Sequence, residues 1–139
     1  VKLARPVIFG LADGSMSILG VVAFLTGHAG LVFPAALAGG LTASVSMATG
    51  EWLSDSGSGP GASVAMGAAT LTGSVLPAIP YAFTHGWLAP CLSATALAAV
   101  ALTVARLRSH RKHPYLETFA ALGLVVAVSV ACAVLAPGS

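Results

Sequence analysis

The feature that most constrains this chain is the length over which it carries no charge. Charged residues make up 7% of the 139 positions, whereas an ordinary soluble domain carries about a quarter. A water-soluble fold of this length could not cover its surface with so few charges. Runs of apolar residues, each near the 20 or so needed to cross hydrocarbon, fill the sequence instead. The start is not read as a cleavable signal, because hydrophobicity continues to the end of the chain.

Prolines, glycines and charges punctuate the runs. They predict an all-α integral membrane protein, a single domain over 1–139 with five transmembrane helices per subunit. The expected spans are approximately 6–27, 32–55, 62–84, 87–105 and 114–136. The segment 56–61 (Ser-Gly-Ser-Gly-Pro-Gly) reads as a loop, because it cannot easily stay helical. Pro6, Pro34, Pro60 and Pro114 are expected at or just before helix starts, where a missing N–H costs little. Pro77 and Pro80 fall inside the third run, so that helix is expected to bend near its far end.

Charge placement supplies an orientation. All six basic residues, Lys2, Arg5, Arg106, Arg108, Arg111 and Lys112, lie in two segments that five alternating spans put on one side. The positive-inside rule then places the N-terminus in the cytoplasm and the C-terminus outside. Abundant alanine and the excess of Arg over Lys hint at a GC-rich bacterial genome, and so at a bacterial plasma membrane.

Acidic groups inside hydrocarbon are costly and call for an explanation. Asp13 lies roughly 10 Å along the first span, and Met47 roughly 12 Å from the Asp55 end of the second, at 1.5 Å per residue. The two are therefore expected at similar depth on antiparallel neighbours, able to face each other. Met47, Glu51 and Asp55 follow an i, i+4, i+8 rhythm along one stripe. The same stripe extends through the small residues Ala35, Gly39 and Ala43, which would let another helix approach closely. On the first span, Met16, Ser17 and Gly20 share the face of Asp13.

Carboxylate oxygen with thioether sulfur suits ferrous iron or manganese better than calcium or magnesium. Two ionisable carboxylates could exchange protons for the metal. Plainer roles stand beside these: packing for either methionine, an interfacial charge for Asp55, and service to the helix dipole for Glu117. His28 and His85 read as interfacial, and His110 and His113 as part of the basic loop. For Cys91 and Cys132, at comparable depth, geometry permits a disulfide, while small-residue packing is the alternative. With no Cys-x-x-Cys, phosphate loop or Ser/His/Asp signature, no enzyme is expected. Neither is a resident cofactor or a nucleic-acid partner.

Three ordered motifs resemble the vacuolar iron transporter family and its bacterial and nodulin-like relatives. They are Gly10-Leu11-Ala12-Asp13-Gly14, Ser46-Met47-Ala48-Thr49-Gly50-Glu51-Trp52-Leu53-Ser54, and Gly73-Ser74-Val75-Leu76-Pro77-Ala78-Ile79-Pro80-Tyr81. With the five-span layout, the resemblance covers nearly the whole chain. It implies a homodimer with an ion path near the two-fold axis, lined by the first and second spans. It also implies export of Fe2+ or Mn2+ from the cytoplasm by proton antiport. The family's membrane aspartate would fall on Asp13, and its second-span methionine and glutamate on Met47 and Glu51.

One departure is large. Iron transporters of this group carry a Glu-rich cytoplasmic helical segment between the second and third spans, where this chain has only Ser56 to Gly61. Nodulin-like members are similarly shortened. The missing segment favours a competing expectation, a non-transporting membrane scaffold or partner subunit that keeps the fold.

Overall fold

The protein is described by a computed structural model that covers residues 3–25, 27–54, 59–108 and 113–135. It is all-helical among the described residues. The helices are α1 (Ala4–Phe24), α2 (Ala29–Leu53), α3 (Pro60–Val75), a 3-10 turn (Leu76–Ala78), α4 (Ile79–Phe83), α5 (Leu88–Leu107) and α6 (Pro114–Leu135). Taking α3 through α4 as one bent rod, five helices are long and apolar enough to cross a membrane.

The rod that α3 begins is the most buried of the bundle, and glycine explains how. A Cβ placed on Gly10 of α1 would meet the Met66 carbonyl oxygen at 2.5 Å, and one on Gly14 would meet that of Thr70 at 2.2 Å. In return, a Cβ on Gly73 of α3 would meet the Leu11 carbonyl at 2.7 Å. Only glycine lets two helix backbones approach this closely. Because Gly10 meets residues 66–70 and Gly14 meets 70–74, α1 and α3 run parallel.

An adjoining face of α3 takes α2. Gly67 stands against Ser44 and Ala48, while Gly40 stands against Ser74 and Leu71, which makes this pair antiparallel. The α2 residues used are therefore Val32, Ala36, Gly40, Ser44 and Ala48, with the first three buried. This stripe lies one residue round from the expected Ala35, Gly39 and Ala43. Gly39 is exposed, with nothing within 4 Å of where a Cβ would point.

Where the bundle has a conventional apolar core, it is at the end where α1 turns into α2. Ile18, Val32, Ala36, Ala78 and Leu97 cluster there, flanked by Leu19, Val22, Leu25, Phe33 and Tyr81. Helix α2 starts at Ala29, before the expected position, which leaves Pro34 inside the helix. Its missing N–H removes the bond that the Gly30 carbonyl would otherwise accept.

Helix α6 lies at the edge. A Cβ on Gly20 of α1 would come within 3.1 Å of Ser129 Oγ, but most α6 side chains face outward. The salt bridge from Arg108 to Glu117, 2.7 Å, ties the end of α5 to the first turn of α6. Glu117 is thus paired directly with a cation. Cys91 and Cys132 are both free and exposed.

Candidate functional site

Asp13 immediately precedes Gly14, the residue that presses most tightly onto α3. Its position on the wheel puts it at the flank of the α1–α3 contact, and it is half-buried. Gly20, seven residues on and so on nearly the same face, stands against Ser129 of α6. The side of α1 that carries Asp13 therefore turns toward α6 at its far end.

Met47 precedes Ala48, which contacts Gly67 of α3. The α3 residues opposite each helix give relative depth. Gly14 is level with Thr70 and Ser74, and Ala48 is level with Gly67. Asp13 and Met47 therefore differ in depth by only about one helical turn, roughly 5 Å at 1.5 Å per residue. Glu51 lies a further turn toward the Leu53 end of α2.

At this level the closest helix contacts are those that α3 makes with α1 and with α2. The first and second helices straddle the third, and they come together mainly at the Ile18, Val32 and Ala36 cluster. Met16, Met47 and Glu51 are half-buried like Asp13. Asp55, the last residue of the stripe expected with Met47 and Glu51, lies outside the described residues. Among the described residues, no group of three or more His, Cys, Asp or Glu side chains gathers closely enough to hold a metal ion.

A set of hydroxyls that sequence reasoning passed over organises the site's surroundings. Ser44 Oγ donates to the Gly67 carbonyl at 2.7 Å, which joins α2 to α3. Ser74 Oγ lies 3.3 Å from the Gly14 carbonyl and donates to that of Thr70 at 2.9 Å. Thr70 in turn donates to Met66 at 3.0 Å. The signal was a serine or threonine recurring among glycines at four-residue spacing in α3, as in Thr70 and Ser74.

At the far end of α3, the α-helical pattern breaks at Leu76–Ala78, the turn that contains Pro77. Pro80 stands at the start of α4. Neither proline can donate, so the helical bonds to the Gly73 and Leu76 carbonyls are lost.

No family model, curated protein or solved structure matches this chain. Fold and site together define a bundle of five apolar crossing-length helices with one carboxylate, Asp13, well inside the first of them.

Proposed function

We propose that the chain is an integral membrane transporter that exports divalent metal, Fe2+ or Mn2+, from the cytoplasm in exchange for protons. The observation that carries this reading is Asp13, a half-buried carboxylate some ten residues inside a 21-residue apolar helix, beside the tightest helix contact in the bundle. A carboxylate so placed is expensive unless it is used.

Membrane insertion is supported by which side chains face outward. Leu37, Leu41, Val45, Leu102, Phe119, Leu124 and Val128 are all exposed, whereas Ser15, Ser63, Thr70, Ser74 and Thr118 are buried. That is the reverse of what water selects, and it is a pattern that lipid tolerates. The two tryptophans add to this. Trp52, 63% exposed, and Trp87, 87% exposed, mark opposite ends of the bundle, as interfacial aromatic residues do. Arg5, Arg106 and Arg108 share the Trp52 end, which favours that end as cytoplasmic in a bacterial plasma membrane.

In this reading Asp13 and Glu51 bind metal and exchange protons, Met47 and Met16 supply soft ligands, and Asp55 receives the ion at the entrance. In the same reading the protein acts as a homodimer, with α1 and α2 of both copies lining the path. The test is uptake of Fe2+, Mn2+, Ca2+ and Mg2+ into proteoliposomes under a proton gradient. Asp13→Ala should abolish Fe2+ or Mn2+ flux; flux equal to that of the unsubstituted chain would end this mechanism.

A second reading, a non-transporting scaffold or partner subunit, is favoured by the lack of a gathered ligand set among the described residues. It expects stable assembly with no metal-dependent proton flux.

A further inference from the structure

The third span is built in two parts that are held very differently. From Ala62 to Ser74, α3 presents eight buried residues, and Gly67 and Gly73 bring it against the backbones of its neighbours. Beyond the 3-10 turn, α4 runs only from Ile79 to Phe83 and contains no buried residue. Neither of its connections is α-helical. On one side is the turn with Pro77, and on the other Thr84 is extended and Gly86 takes a φ of +65°.

Beneath α4 is a polar group without a partner. Ser93, on α5, is 2% exposed, and its Oγ makes no hydrogen bond within the described residues. The hydroxyl of Tyr81, on α4, lies within hydrogen-bonding reach of it but forms no well-set bond. Ser74 is the informative contrast. It is also 2% exposed, yet its hydroxyl is bonded to Thr70 and reaches toward Gly14. A buried hydroxyl left unpaired favours any state that gives it a partner.

We infer that α4 is a hinged flap at the far end of the third span, and that its opening on the Pro77 and Gly86 connections brings the buried Ser93 hydroxyl to solvent. Tyr81 rides on the flap and covers Ser93 when it is shut. The motion needs no change in α3, whose glycine contacts hold the rest of the span in place. An opened flap would leave the Ser93 hydroxyl free to bond a water molecule. The inference concerns the fold alone and stands or falls independently of what the protein carries.

The test uses paired cysteines in a background with the native thiols removed, C91A/C132A. S93C and S74C are buried equally, so a static structure predicts equally slow reaction with a charged methanethiosulfonate reagent. A flap predicts that S93C reacts at least about tenfold faster, because local opening costs less than loss of the core. Equal rates would overturn the flap. Hydrogen exchange on the unsubstituted protein provides a reading that needs no variant. The amides of residues 81–84 should exchange about a hundredfold faster than those of 66–74. Equal protection across the two segments would overturn the proposal as well.

Discussion

The bent rod of α3 and α4 and the helix α6 are both long enough to cross a bilayer, yet they sit at opposite extremes of the bundle. The bent rod of α3 and α4 is the most buried of the five crossing-length helices, and its mean hydropathy, 1.4, is the lowest. Helix α6 is the least buried, and its mean hydropathy is 1.9. In a water-soluble protein the order would be reversed, since burial there selects for apolar side chains. In this bundle the interior is selected for smallness instead. Glycine, alanine, serine and threonine fill α3, the residues that give the close backbone approach and hydroxyl-to-carbonyl bonds by which helices associate in an apolar solvent. The outward residues of α6, Leu116, Phe119, Leu124 and Val128, are large and apolar instead.

The sharpest way to break this comparison is to charge the edge helix. Leu124 lies near the middle of α6 and is 66% exposed. If its surroundings are lipid, Leu124→Arg costs about 3 kcal/mol of insertion free energy, read as loss of membrane-integrated protein in an insertion assay. If α6 faced water, the same change would be nearly silent.

The next test compares one glycine from each helix environment. An added methyl at Gly14 would be driven into the Thr70 carbonyl, a backbone atom that cannot rotate aside. Gly14→Ala should therefore destabilise the bundle by about 2 kcal/mol, the range for overpacking. Gly123 of α6 has nothing within 4 Å of its added methyl, and Gly123→Ala should change stability by no more than about 0.5 kcal/mol. Reversible unfolding in mixed micelles would measure both. Equal effects at the two positions would remove the distinction between a clamped and a free helix.

Much of this fold was legible in the sequence, and the reason is physical. Apolar length reports spans directly, since only helices satisfy their own backbone in hydrocarbon. The lateral arrangement was not legible in the same way. In water, a helix declares its buried face by amphipathicity; here the interior and the outward faces are both largely apolar, so that signal is weak. On α2, Ala35, Gly39 and Ala43 form a small-residue stripe as convincing as Ala36, Gly40 and Ser44 one residue further round. Only the second of these meets α3. Sequence order also suggests that α1 and α2 are the intimate pair, whereas α3 returns to wedge against both. The matched depths of Asp13 and Met47 follow from helix rise and are readable, but the helix between their closest contacts is not. What distinguishes the two α2 stripes is Ser44, whose hydroxyl has an interhelical partner while Gly39 has none.

Ser44 also permits the finest version of the comparison, because α2 carries a second hydroxyl two residues away with a different role. Ser44 Oγ crosses to the Gly67 carbonyl of α3, while Thr42 Oγ1 turns back to Ala38 of its own helix at 2.9 Å and is exposed. Gly67 sits inside α3, so its carbonyl already accepts a helical N–H, and losing Ser44 would not leave it bare. The expected cost of Ser44→Ala is accordingly small, about 0.6 kcal/mol, typical of an interhelical hydrogen bond in a membrane protein. Thr42→Ala removes only a local bond and no contact between helices, so it should fall closer to zero. A difference in that direction, measured by the same unfolding equilibrium, would locate part of the α2–α3 attachment in a single hydroxyl. If the two variants cost the same, α2 is held by the close approach at Gly40 and Gly67 alone, and the hydroxyl is incidental to the packing.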